Sequence, residues 1–334
     1  MSILRRIYVV LLSRSSWFLM VCVVVSCEHK DLLRGQESAV KVQFDWSRSP
    51  AAAPTMMRLA IFASGSQPVF ETFSGQWGGQ FNIYPGSYSA VGFNSDTEIV
   101  EARGSSYDEF EIYAPSTRLE TVYALYTSTR TELMPRAEGT ESQMVIYEPD
   151  NVWVSTADRF DVYGVPEQTL NMTMEEATFE YVFTITNVEN LSYVTSAVAT
   201  ISGMSGSWIP SQHHSSDTHY IIPFELVPEG ESTLRGRVRT FGHCSGVDFE
   251  HHSEDAAEHK LVVYAEMSDG SHVYFQVDVT DEMHDDDHNT DGGGGNTDVP
   301  IVIDELPLPK PMTNGAGLQP HVSDWQEIEV DIDL

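Results

Sequence analysis

The sequence predicts an all-β fold of two β-sandwich domains in tandem. Three observations predict it. Apolar and polar residues alternate with a period of two along most of the chain, no long amphipathic helix interrupts them, and turn residues separate the runs. The composition supports a packed body. The 334 residues suffice for two ordinary domains, and 41% hydrophobic with 10% aromatic residues is richer than disordered chains carry. With 50 acidic and 18 basic side chains the net charge is -32, which excludes a nucleic-acid partner because a polyanion is repelled.

The first element is an address. Arg5, Arg6 and Arg14 accompany Trp17 to Val25, WFLMVCVVV, nine apolar residues without a charge. That length suits a signal-peptide core and falls short of the roughly 20 residues of a spanning helix. Val24-Val25-Ser26-Cys27 follows. A small residue before a cysteine, after an apolar run, resembles the lipobox of bacterial lipoproteins, whose signal is cut before the cysteine. The resemblance implies a signal peptide over 1–26, acylation of Cys27 (palmitate among the chains), a tether over 27–37, and a lipid-anchored body at the outer membrane, periplasmic or surface-exposed. The cut removes three arginines and no acid, so the mature body is more acidic still. Glu28, His29, Lys30 and Asp31 resemble the charged export tags of Bacteroidetes surface lipoproteins. Of three cysteines only Cys244 then stays a thiol, so no intrachain disulfide is expected. It reads as a buried, inert thiol, with a nucleophile beside His243 as the alternative.

Strands follow in order. Ala39 to Trp46 puts Val40, Val42, Phe44 and Trp46 on one face, and Met57 to Ala63 is an apolar run of strand length. Phe81 to Phe93 contains Pro85-Gly86, which predicts a reversal with glycine at positive φ. This strand–Pro-Gly–Tyr–strand pattern resembles prealbumin-like sandwiches. Tyr107–Tyr113, Leu119–Tyr126 and Gln143–Tyr147 complete a first sandwich and its margin. Residues 38–127 form that sandwich and 128–163 a connector, whose Trp153 and Phe160 pack between domains. The second sandwich, 164–306, takes strands at Gln168–Met174, Thr178–Val188, Leu191–Ser202, Tyr220–Leu226, Ser232–Phe241, Lys260–Met267 and Ser271–Thr280. Ser268-Asp269-Gly270 joins the last two as a hairpin turn. Residues 281–298 carry seven acids, no Lys or Arg and four consecutive glycines, which reads as a flexible loop before a last strand, Val299–Asp304. The tail, 307–334, has prolines at 307, 309 and 311, then an extended segment with Trp325, Ile328, Val330 and Ile332. Trp325 is out of step with the other three, and self-packing of this tail is expected over donation to a partner.

The pieces CEHKDL at Cys27–Leu32, VQFDW at Val42–Trp46, PRAEGTE at Pro135–Glu141, TFGH at Thr240–His243, MSDG at Met267–Gly270 and LPKP at Leu308–Pro311 run in order along the mature chain. Together they resemble an uncharacterised domain-of-unknown-function family of Bacteroidales lipoproteins. In plan that family is similar to fimbrillins, lipidated two-sandwich pilus subunits and anchors. Fimbrillins are cut after an arginine near the N-terminus, and Arg34 in LLRGQ is the matching candidate, a plain tether arginine being the alternative.

Chemistry-bearing residues are few. Eleven of twelve histidines lie after residue 212, without HExxH or CxxC spacing, and read as polar loop filling. Asp287, Asn289, Asp291, Gly292 and Asp298 match positions of a Ca²⁺ loop, although position 12 is the shorter Asp and no helices flank it; a solvated acidic loop is the reading, Ca²⁺ the alternative. No cofactor is implied. Arg235, Arg237 and Arg239 share one strand face, either pairing with acids on neighbouring strands or forming a ligand or partner face. No GxSxG, P-loop or dinucleotide signature is present, and an enzyme is not expected. The expected function is non-enzymatic: a fimbrillin-like surface lipoprotein in cell adhesion or pilus assembly and anchoring, with pilus subunits as partners. The alternative is a glycan-binding lipoprotein of a polysaccharide-uptake system, which clustered exposed Trp46, Trp77, Trp153 or Trp208 would favour.

Overall fold

A computed structural model describes residues 36–127, 133–164, 167–243, 258–283, 299–311 and 325–328. The alternation of the first run becomes strand β1 (Ser38–Asp45), with Val40, Val42 and Phe44 at most 1% exposed. It is followed by β2 (Met56–Phe62), β3 (Val69–Ser74), β4 (Gly78–Ile83), β5 (Gly86–Asn94), β6 (Glu101–Arg103), β7 (Glu111–Tyr113), β8 (Ser116–Thr117) and helix α1 (Leu119–Thr127). Then come β9 (Met144–Ile146), β10 (Trp153–Val162), β11 (Gln168–Thr173), β12 (Glu175–Glu176), β13 (Phe179–Glu189), β14 (Val194–Ser205), β15 (Ser207–Ile209), β16 (His214–Ser215) and β17 (His219–Pro228). The chain closes with β18 (Leu234–Thr240), β19 (Lys260–Met267), β20 (His272–Asp278), the single turn α2 (Thr280–Met283), β21 (Val299–Pro307) and β22 (Trp325–Glu327). The fold is all-β, as expected.

Two sheets, β11-β1-β4 and β12-β10-β5-β2-β3, face one another. Val40, Val42, Phe44, Trp46 and Phe81 of the first pack against Met57, Leu59, Ile61, Phe73 and Ala90 of the second. A slip of β1 by one residue would turn all its apolar side chains to solvent, so the register is fixed by burial. The outer face of the second sheet is also covered. Ala60, Phe62, Val91 and Phe93 join a larger core with Phe110, Phe183, Phe224 and Phe275, whose floor is a ten-stranded sheet running β21-β13-β18-β17-β14-β19-β20-β22, with β8 and β9 at its side. The other face of that large sheet presents Val198, Ile221, Val262 and Tyr264 to Leu119 and Tyr123 of α1 and to Met134 and Ala137.

Several strands pair away from their sequence neighbours. β11, which the sequence places in the second sandwich, pairs in parallel with β1, and β10, placed in the connector, pairs with β5. Conversely β7 pairs with β15 and β9 with β17. Alternation assigns a residue to a face of its strand; it carries no information on which strand lies alongside.

Three local expectations change. Leu119–Tyr126 is a helix, not a strand: Leu119, Val122, Tyr123 and Tyr126 recur with helical spacing, and their burial selects that period over the competing alternation. The Pro85 reversal forms, yet Gly86 has no positive φ; a Cβ there would sit 3.1 Å from the Tyr88 hydroxyl, so the ring packs closely over the glycine and would have to shift for a side chain. The last strand extends through Pro307, because among the described residues β21 is an edge strand that pairs only with β13, where a missing donor is tolerated. The hairpin glycine behaves as expected, with Gly270 at φ 81° and Asp269 Oδ1 accepting from the Ser271 N–H at 3.0 Å.

Candidate functional site

The arginine face is built by β18. Leu234, Gly236 and Val238 point into the large core, which leaves Arg235, Arg237 and Arg239 on the opposite side. Each has a carboxylate. Arg235 Nη1 lies 3.6 Å from Glu229, Arg237 Nη1 donates to Glu180 Oε1 at 2.6 Å, and Arg239 Nη2 reaches the other Glu180 oxygen at 3.2 Å. Glu180 is the cross-strand partner of Arg239 in β13. A further acid, Glu148, accepts from the Arg239 backbone N–H at 2.9 Å. Burial pushes the carboxyls of Glu148 and Glu176 above their usual range, against the pull of Arg239. The face is therefore an interleaved acid–base patch.

The C-terminal segment closes one edge of the large sheet. β22 runs parallel to β20, Ile328 N–H donates to the Tyr274 carbonyl at 2.9 Å, and Glu327 accepts from the Tyr274 hydroxyl and the Gln276 amide, both at 3.0 Å. The Trp325 ring stands edge-on to Tyr123 at 5.6 Å and Tyr264 at 5.3 Å, with His272 at 5.0 Å. Ile328 packs on the other face, against the large core. The odd–even mismatch read in the sequence is thus a strand end with one apolar side chain for each face. Self-packing holds for 325–328; Val330 and Ile332 lie outside the described residues.

The PRAEGTE motif is a strap over the same face. The Tyr264 hydroxyl donates to the Pro135 carbonyl at 2.6 Å, Lys260 Nζ to the Glu138 carbonyl at 3.0 Å, and Arg136 Nη1 to the Gln143 carbonyl at 2.8 Å. The strap and α1 cover Val198, Val262 and Tyr264, a burial the sequence hinted at through the apolar inward and outward residues of β14 and β19. Sequence reasoning missed the aromatic cage and the strap's anchors; the apolar character of both faces of β19, Leu261 to Ala265, is the signal that a second layer must exist.

The tryptophans do not gather at the surface. Trp46 and Trp208 are buried, Trp46 and Trp153 stack edge-on at 6.0 Å, and Trp77 is exposed. Among the histidines, His213 meets Thr156, His214 meets Gln212 and Ser215, and buried His259 lies 5.5 Å from His243. Among the described residues no three His, Cys, Asp or Glu side chains gather to hold a metal, and no helix is long and apolar enough to cross a membrane. The lipidation candidate Cys27, the tether arginine Arg34, Cys244, and the Ca²⁺ candidates Asp287, Asn289, Asp291 and Asp298 lie outside the described residues.

Residues 26–225, from the segment before Cys27 through most of β17, match a family described as a domain of unknown function, DUF5119. The chain belongs to that family. Within curated proteins it is 25% identical over 186 residues to a Bacteroides ovatus protein provisionally named fimbrium anchoring subunit Fim4B, covering 54% of this chain. The chain spans about half the length of that curated relative, 50% of it. Among solved structures it resembles one from Bacteroides ovatus provisionally described as an adhesin, with a TM-score of 0.62 and 21% identity over 86% of this chain and 99% of that one. That likeness is one of fold.

Proposed function

We propose that this member of the DUF5119 family is a non-enzymatic, lipid-anchored protein of the outer-membrane surface that serves in adhesion or in anchoring a pilus. The sequence relation to a protein named as a fimbrium anchoring subunit supports the pilus reading, and the shared fold with an adhesin-described structure accords with it. The observation that carries the anchor role is the docked β22. Its three pairs with β20 and the Trp325 cage are made within one chain, so the first half of β20 is covered by the protein's own tail and not by a donated strand. A shaft subunit that gives its tail away would leave this cage empty. A tethered segment also outcompetes an external one through its effective concentration.

Deleting residues 322–334 tests this. The anchor reading expects the isolated monomer to lose thermal stability. Unchanged monomer stability together with lost incorporation into a pilus fraction would make the tail a donor and overturn it.

A further inference from the structure

Three of the exposed aromatic residues of the smaller sandwich, Tyr84, Tyr163 and Trp77, lie at two opposite ends, while Phe70 on β3 lies against Phe110 and Arg58. β1 defines the axis. At its start Ser38 pairs with Ile83, so the β4–β5 turn with Tyr84 sits beside the point where the chain enters the fold. Val40 pairs with Gln168, whose side-chain carbonyl accepts from the Tyr163 N–H at 3.1 Å. Val162 pairs with Gly86, which sets Tyr163 against the Pro85 turn. Tyr84 and Tyr163 therefore flank the start of β1, 54% and 61% exposed. Behind them Tyr88 and Phe160, directly paired, hold their rings 5.6 Å apart, and the Tyr88 hydroxyl donates to the Tyr84 carbonyl at 2.8 Å. The platform is braced from below. Nearby Arg159 and Asp161 pair at 3.2 Å, and Glu37 and Glu167 are exposed, so this end is acidic, though its charge is small beside that of the whole chain. At the far end of β1, the Phe44 N–H donates to the Trp77 carbonyl, and Trp77 is 67% exposed.

What lies next to the first end is set by chain length. Ten residues separate Cys27 from Ser38, so a lipid on Cys27 holds the start of β1 within about 40 Å of the bilayer at full extension. The other end of the sandwich lies a further strand length away, about 25 Å for eight residues. Tyrosine is the side chain suited to a headgroup region: its ring enters the apolar boundary while its hydroxyl stays hydrated.

We propose that the Tyr84–Tyr163 end of the protein rests on the lipid bilayer, with both rings in the headgroup region. This rests on the lipid-anchor reading above and adds an orientation to it. The seated end makes the tether a short leash under the body, and points the Trp77 end away from the membrane.

The test uses the mature full-length chain carrying Cys244→Ser, with a single environment-sensitive fluorophore at Tyr84→Cys, Tyr163→Cys or Trp77→Cys. Each is placed on zwitterionic phosphatidylcholine vesicles with brominated acyl chains. Two attachments are compared: native acylation at Cys27, and a histidine tag before residue 28 held by nickel-chelating lipid. The 84 and 163 labels should shift to shorter wavelength and be quenched several-fold more than the 77 label, on either attachment. Failure of the acylated chain to float with vesicles would sink the lipid reading alone, since the tagged chain still reports the orientation. Equal, water-like emission from all three labels on floating vesicles overturns the orientation. So does stronger quenching at 77. A short-wavelength signal at 84 and 163 that bromine does not quench also overturns it, because those sites are then covered by protein or glycan.

Discussion

Replacing Trp325 by alanine should cost about 2–3 kcal/mol of stability. Fully buried Trp→Ala changes cost roughly 3–5 kcal/mol, and Trp325 is part-buried, which scales that figure down. The ring contacts to Tyr123 and Tyr264 each contribute on the order of 0.5–1.5 kcal/mol beyond burial. In the variant the three-residue pairing with β20 is left with its main-chain bonds, the Glu327 hydrogen bonds and the Ile328 contact, and so short a strand depends heavily on its side chains. At about 2–4 °C per kcal/mol for a chain of this size class, the melting temperature should fall by roughly 5–10 °C. Thermal unfolding followed by near-ultraviolet circular dichroism measures this, since Tyr123, Tyr264 and Trp325 form one asymmetric aromatic cluster. Val227→Ala, at a residue 54% exposed, is the control and should stay within about 0.5 kcal/mol of wild type. A Trp325→Ala loss no larger than that control would refute the docked-tail argument.

Other outcomes are expected. Glu180→Ala removes the shared partner of Arg237 and Arg239 and should cost about 1 kcal/mol, less at high salt, in denaturant titrations at two ionic strengths. Gly78→Ala combines φ 88° with a Cβ only 2.5 Å from the Val42 carbonyl of β1 and should destabilise by well over 1 kcal/mol, whereas Gly65→Ala, at φ 74° with open space around it, should cost about 1 kcal/mol. Burial raises the folded-state pKa of Glu148 and Glu176, so protonation favours the fold there, and stability should rise as pH falls from neutral toward the carboxylate range. Asp96 and Glu111 are held below their usual range by hydrogen bonds that outweigh desolvation, so their contribution is lost on further acidification, giving a maximum in melting temperature at mildly acid pH. Cys27→Ala should leave the protein unacylated and move it from the detergent-extracted membrane fraction to the soluble one; equal membrane retention would contradict the lipid anchor.

What was legible in the sequence follows from what each signal physically reports. In β1 the alternation Val40, Val42, Phe44, Trp46 reports burial of one face, and the structure buries all four. In α1 the same nine residues satisfy two periods at once, and only the arrival of Tyr264 and Val145 as packing partners decides for the helix. β3 was missed because Val69 and Phe70 are exposed on an edge strand and Phe73 alone is buried, so no alternation exists to find. The three-arginine face of β18 was legible as a face. Its acids were not, since Glu180 stands 59 residues from Arg239 and is brought alongside by sheet register. The Trp325 cage was half legible: the odd–even step between Trp325 and Ile328 marks two faces, but Tyr123 and Tyr264 come from a helix and a strand far away in the chain.

The most direct test of the proposed role is recovery of partners from native outer membranes. The wild-type chain, crosslinked in intact cells and captured with its neighbours, would be identified by mass spectrometry beside the Cys27→Ala chain. The account predicts pilus subunits with the acylated protein and their loss with the variant. Recovery of polysaccharide-uptake proteins in their place would contradict it.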